Sequence, residues 1–163
     1  MILSFDEFLR EGAYDQFANK AGAKFWGDVA SGILPICKST GRVLVAYRSK
    51  YVNEPHTWNL FGGKLDEGET DPRKAAEREL TEESGYTGKF EIVPAYVFRT
   101  PDKSFEYHNF VGLVDEEFDP KFDWETETAE WVNLDELKKL EPKHFGLVEL
   151  LKHGMTIIEK YAK

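Results

Sequence analysis

The tightest local specification in this chain is the stretch from Gly62 to Tyr86, GGKLDEGETDPRKAAERELTEESGY. It opens on two glycines, passes through an acidic loop and then has every mark of a short helix. Asp71 is a capping residue, and Pro72 suits the first helical position, where its missing N–H would have lacked a partner anyway. Arg73 to Ser84 contains no breaker, and Gly85 fits the site just past the end, where positive φ is common. At 3.6 residues per turn, Glu79, Glu82 and Glu83 project toward one side. Ala75, Ala76 and Leu80 form a neighbouring stripe small enough to pack closely on a sheet.

Three carboxylates on one helical side repel one another, at roughly a few tenths of a kcal/mol per pair. A helix has no structural use for that arrangement. On its own, an acidic helix is most simply a solvated face. The competing reading is chemical: hard divalent cations take oxygen ligands, and Mg²⁺ combines a few carboxylates with water and substrate phosphates. Arg78, four residues before Glu82, is placed to orient it.

The glycines around the helix decide between these readings. Gly62-Gly63, Gly68-Glu69, Arg78-Glu79-Leu80-Thr81-Glu82-Glu83-Ser84-Gly85-Tyr86 together resemble the Nudix box, G-x5-E-x7-R-E-U-x-E-E-x-G-U with U a bulky apolar residue. Gly63 begins the pattern, Glu69 follows after five residues, and the second half matches position by position. There are two departures. Thr70 to Glu77 is eight residues where the pattern has seven, so one residue is inserted in the loop near Thr70-Asp71-Pro72, which bears on the role of Glu69. Phe61 stands where many members have proline.

The resemblance implies an α/β architecture, the Nudix fold, in which a mixed β-sheet is sandwiched between α-helices. It implies a metal-dependent pyrophosphohydrolase that cleaves a nucleoside diphosphate linked to another moiety by water attack on phosphorus. ADP-ribose, dinucleotide polyphosphates, nucleotide sugars and nucleoside triphosphates are all candidate substrates. The alternatives are a non-catalytic nucleotide-binding module on the same fold and an RNA 5′-end pyrophosphohydrolase. By the same resemblance Glu79 and Glu83 are the principal metal ligands. Glu82 shares that task or serves as base, a backbone carbonyl at Gly63 contributes, Arg78 orients the carboxylates and Glu69 joins through water. The implied cofactor is Mg²⁺, with Mn²⁺ as a substitute. Arg48 and Lys64 are implied to approach the phosphates; alone, they read as a strand-end arginine and a surface lysine. A further glutamate is expected after the last long strand, from among Glu116, Glu117, Glu125, Glu127 and Glu130, with Glu127 chosen.

Composition bounds the rest. The chain has 163 residues, 41% of them hydrophobic and 14% aromatic, enough for one domain (1–163) with a proper core. No apolar run approaches the ~20 residues of a membrane span, and the charged start MILSFDEFLREGAYDQF is unlike a signal peptide. Cys37 is the single cysteine, which leaves no internal disulfide and no cysteine-built zinc site. A cytoplasmic protein is expected. The net charge of −9 argues against binding long nucleic acid and for a small nucleotide, with bound cations reversing the field at the site. A homodimer is left open.

In chain order, Ser4 to Glu11 reads as a short helix within an N-terminal extension over residues 1–25, and Lys20 to Gly27 as a connector. Val29–Cys37 and Arg42–Arg48 read as strands about a Ser39-Thr40-Gly41 turn. Trp58 to Phe61 is a short strand that delivers the chain to the glycines. Phe90–Thr100 and Ser104–Val114 form a strand pair, with a bulge or edge position at Pro94. Asp115 to Ala129 is a long polar loop in which Trp124 is placed to close over a base or sugar. Trp131 to Asn133 is a strand and Leu134 to Leu140 a helix capped by Asn133. His144 to Tyr161 is a final amphipathic helix, within a C-terminal segment over residues 141–163, with a break expected near Gly154.

Overall fold

A computed structural model of the chain describes residues 28–163, and the sheet in it is built on β1 (Asp28–Cys37). One edge of β1 runs parallel to β6 (Phe105–Val114) along its whole length, from Asp28↔Phe105 to Cys37↔Val114. Its other edge is divided. The first half pairs antiparallel with β4 (Phe61–Lys64), and Ile36 near the far end meets Val43 of β2 (Val43–Arg48). Next to β2 lie β3 (Trp58–Asn59) and β7 (Thr126–Val132), and β5 (Glu91–Arg99) flanks β6. The expected helix Ser4–Glu11 and the 1–25 extension fall outside the described residues.

β1 is buried on both faces, as an almost continuous apolar strand must be. Leu34 and Ile36 enter one core with Val43, Val45, Val111, Leu113, Leu147, Leu150 and Ile158. Ile33 enters the other with Leu44, Ala46, Phe61, Ala76 and Leu80. The first core is closed by α2 (Leu134–Lys139) and α3 (Phe145–Tyr161), the second by α1 (Pro72–Ser84). The sheet therefore lies between helices, and the box helix has one face to itself.

The local signals act where the sequence puts them. Asp71 caps α1 by accepting from Arg73 N–H, and Gly85 ends it at φ 74° with its N–H on Thr81 O. Asn133 caps α2. The register of β5 on β6 shifts between Pro94 and Tyr96, the irregularity expected at the proline. Two expectations change. The long loop ends at Glu125 rather than Ala129, because Thr126 to Val132 pairs with β2. Helix α3 continues through Gly154, which is buried. A Cβ there would meet Leu150 Cδ1 at 2.7 Å, with Ala95 Cβ at 3.8 Å, so the glycine fits a tightly packed turn instead of breaking the helix.

Candidate active site

The site forms where α1 leans on β4. Gly62 and Gly63 do not have positive φ there; what they provide is space. A Cβ on Gly63 would lie 2.8 Å from Glu79 Oε1. One on Gly62 would lie 2.7 Å from Gly32 Cα and 2.9 Å from Tyr107 Oη. Side chains at these two positions would thus push the helix carboxylates and Tyr107 off the strand, so the glycines let α1 sit with Glu79 directly against the backbone.

Glu79 is 9% exposed, and Glu83 turns its carboxyl inward to accept from Gly62 N–H at 3.3 Å. The two carboxyl groups interact directly, so their titrations are linked. Burial is the chief reason both titrate above the ordinary carboxylate range, Glu83 well above it. The negative charges of Glu79 and Glu125 push Glu83 further in the same direction. Around the pair, Arg48 and Tyr107 are close enough to feel Glu83. Burial depresses the Arg48 guanidinium and raises the Tyr107 phenol.

Arg78 gathers the remaining acids. Its Nε and Nη2 donate to Glu69, the shortest contact 2.8 Å, and its Nη1 donates to Glu79 Oε1 at 3.1 Å and Glu82 Oε2 at 2.9 Å. Asp66 lies 3.3 Å from Nε, and Nη2 also reaches Lys64 O at 3.4 Å. The hydrogen bond from Arg78 is the first reason Glu69 titrates below its usual range, and the Glu69 contact is the first reason Arg78 is held charged. Despite the residue inserted between Glu69 and Arg78, Glu69 still reaches the arginine. Asp66 N–H donates to Glu69 Oε1 at 2.7 Å and closes the loop on itself.

Other sequence-derived candidates are placed differently. Glu82 projects to Arg78 and solvent, its side chain 56% exposed, so the three helix glutamates do not meet at one point. Among the described residues, no three His, Cys, Asp or Glu side chains are grouped to hold a metal ion. Glu79 and Glu83 are the two that touch. Arg48 spends Nε and Nη2 on Asn53 O, at 2.9 and 2.6 Å. Lys64 is half-buried on β4. Glu127 is exposed. Tyr47 pairs with Thr128 and Arg48 with Thr126, so Glu127 is the extra residue of a β-bulge and is left without a partner on β2. Glu125 is the acid of that segment that faces the site. Burial first, then the charges of Asp123 and Glu79, raise its pKa, and Glu82 contributes in the same sense.

An α/β sandwich that presses helix carboxylates against a glycine strand, with an arginine gathering the surrounding acids at a loop–helix–loop, defines the class of protein. Comparison with known proteins names the class: residues 27–153 match the NUDIX domain, and the chain belongs to that family. Its fold is that of a Nudix hydrolase from M. smegmatis, with a TM-score of 0.66 at 19% identity over 85% of this chain and 88% of that one. It is also that of a MutT protein from Methanosarcina mazei Go1, TM-score 0.64 at 22% identity over 80% and 94% of the two chains. A C. elegans Ap4A hydrolase gives a TM-score of 0.60 at 21% identity over 81% and 99%. In sequence, 68 residues are 43% identical to an 8-oxo-(d)GTP phosphatase of Mycolicibacterium smegmatis, a stretch covering 41% of this chain and 20% of that protein. The match thus spans about a fifth of that relative's length.

Proposed function

We propose that this Nudix hydrolase is a divalent-metal-dependent pyrophosphohydrolase acting on a nucleoside diphosphate linked to another moiety. The observation that carries the reading is the Glu79–Glu83 pair. Two carboxylates crowded together and buried at the cost of raised pKa values serve no folding purpose, and the strand beside them has given up its side chains to accommodate them. Such a donor set fits Mg²⁺ or Mn²⁺, which needs only a few protein oxygens and completes its shell with water and phosphate oxygens. Glu79 and Glu83 would hold the ion, with the Gly63 carbonyl as a further donor, and its positive charge would favour their ionised forms. The chemistry such an ion supplies is acidification of water and neutralisation of charge on the phosphate oxygens.

The chain's own residues do the rest. Arg78 fixes Glu69, Glu79 and Glu82 as one rigid set, so the carboxylates do not reorganise when substrate arrives. Glu125, whose raised pKa brings it toward the range of a general base, takes the proton from water as the new O–P bond forms. The bridging P–O bond breaks, and its electron pair leaves with the second phosphorylated product. The comparisons favour a nucleotide: an 8-oxo-(d)GTP phosphatase and an Ap4A hydrolase are among the similar proteins.

The test is hydrolysis of a panel of ADP-ribose, dinucleotide polyphosphates, nucleotide sugars and nucleoside triphosphates, with Mg²⁺ and with chelator, using wild type and Glu83→Gln. Nucleoside monophosphate release that needs the metal, and that falls at least about a hundredfold in the variant, is the expected result. Turnover that survives chelation, or that Glu83→Gln leaves intact, overturns the reading.

A further inference from the structure

Among the described residues three large apolar side chains are exposed: Tyr51 at 69%, Trp124 at 63% and Phe122 at 40%. They come from two loops far apart in sequence, and one hydroxyl ties those loops together. Ser49 Oγ donates to Trp124 O at 2.7 Å and accepts from Tyr51 N–H at 3.3 Å. Ser49 N–H donates to Glu125 O at 2.9 Å. The Tyr51 and Trp124 side chains therefore spring from backbone atoms that share a single hydrogen-bond hub.

The loop that carries Trp124 is also anchored to the active site. Lys121 N–H donates to Ser84 O at the end of α1 at 2.8 Å. Further back, Phe118 stacks on Tyr86 with ring centroids 4.4 Å apart, and its carbonyl accepts from Trp131 Nε1 at 2.9 Å. Each aromatic residue lies close in sequence to one that senses the carboxylates: Glu125, after Trp124, feels the charges of Glu79 and Glu82, and Arg48, before Ser49, feels that of Glu83. Lys50 Nζ sits 5.1 Å from the Tyr51 ring centre, so the rim also carries a cation.

Exposed rings on hydrogen-bonded loops beside a phosphate-handling centre suit a flat, uncharged, polarisable group attached to that phosphate. We propose that Tyr51 and Trp124 form a stacking platform for the nucleobase of the substrate. The platform selects base-bearing substrates over base-free phosphoanhydrides, and it tolerates different bases because every base offers a π-face. This rests on the hydrolase reading above and narrows it.

The experiment compares wild type, Trp124→Ala, Tyr51→Ala and Trp124→Phe on the best nucleotide substrate of the panel and on base-free inorganic tripolyphosphate. AMP titrations followed by tryptophan fluorescence are run in parallel. Expected for both alanine variants is a KM for the nucleotide about tenfold or more higher, with kcat within about twofold. Tripolyphosphate kinetics should not change. Trp124→Phe should recover most of the KM but lose the AMP-dependent quench. A nucleotide KM unmoved in both alanine variants overturns the platform while the hydrolase reading stands. So does an equal rise for tripolyphosphate, or loss of a dimer in the variants by size-exclusion. If wild type hydrolyses nothing, the hydrolase reading fails by itself. The quench, present in wild type and absent in Trp124→Phe, then still decides for or against the platform.

Discussion

Glu83 places its carboxyl where a folded protein would rather have a neutral group. Its pKa in the folded state stands above the unfolded value near 4.5, chiefly through burial. The folded state thus holds the proton to higher pH, and the stability this contributes is full below the ordinary carboxylate range and is lost as pH rises through the raised value. Glu83→Gln is therefore expected to raise the Tm of metal-free protein near pH 7 while removing activity. Added Mg²⁺ should raise the Tm of wild type more than that of the variant, since only the wild type gains the full ligand set. Thermal scans with and without chelator check both orders. Glu125 and Glu127 give a second contrast. Glu125→Gln should lower kcat by about a hundredfold and Glu127→Gln by less than twofold, measured on the same substrate. Glu79 and Glu83 can be put together from the sequence because their i,i+4 spacing brings them to one side, and Arg78 because it stands four residues before Glu82. Glu125 could not be separated from its neighbours, because a bulge changes which side of the strand Glu127 occupies and strand periodicity does not announce bulges. Glu82 shared the spacing of the other two, yet its contact with Arg78 carries it outward.

At the scale of elements, the box depends on β4 having no side chains where α1 approaches. Gly63→Ala places a methyl group 2.8 Å from Glu79 Oε1, the far end of a flexible side chain, so the fold should survive while the carboxylate moves. The expected outcome is an unchanged Tm within a few degrees, a kcat lower by about tenfold to a hundredfold, and weaker metal dependence, read from Mg²⁺ titrations of rate. Gly62→Ala meets backbone at Gly32 Cα instead and should destabilise the fold outright. The bounds of α1 were readable because its signals are local: Asp71, Pro72 and Gly85 need nothing from the rest of the molecule. The extra residue after Glu69 bears on the spacing of the motif, yet Glu69 keeps its contact with Arg78 and Asp71 still caps the helix. Most of strand β7 reads as loop in the sequence, because its polar stretch TETAEWV owes its conformation to pairing with β2.

For the whole molecule, acid tolerance should be set in part by His144, which is buried at the start of α3 and accepts from Gly146 N–H through Nδ1 at 3.0 Å. Burial, followed by the charge of Arg48, holds it well below 6.5, so it folds neutral. The unfolded chain takes up that proton near pH 6.5 and the folded one does not, so stability is lost as pH falls from there toward the depressed value. His144→Asn keeps a capping acceptor without the titration, and its Tm should fall less than that of wild type between about pH 7 and pH 5. The sheet between helices followed from the resemblance to the Nudix box, and the pairing of consecutive strands from alternation and turns. The parallel union of β1 with β6 did not, since nothing near either strand encodes a partner 77 residues away.

That parallel union also orders events in time. Strands β1 and β4 and helix α1 belong to neighbouring sequence and can find one another early, whereas β6 must first close a long loop, whose entropy delays it. Tyr107, which roofs Gly62 and senses Glu83, rides on that late strand. The acidic pair is therefore expected to stay open to water until β6 docks beside it.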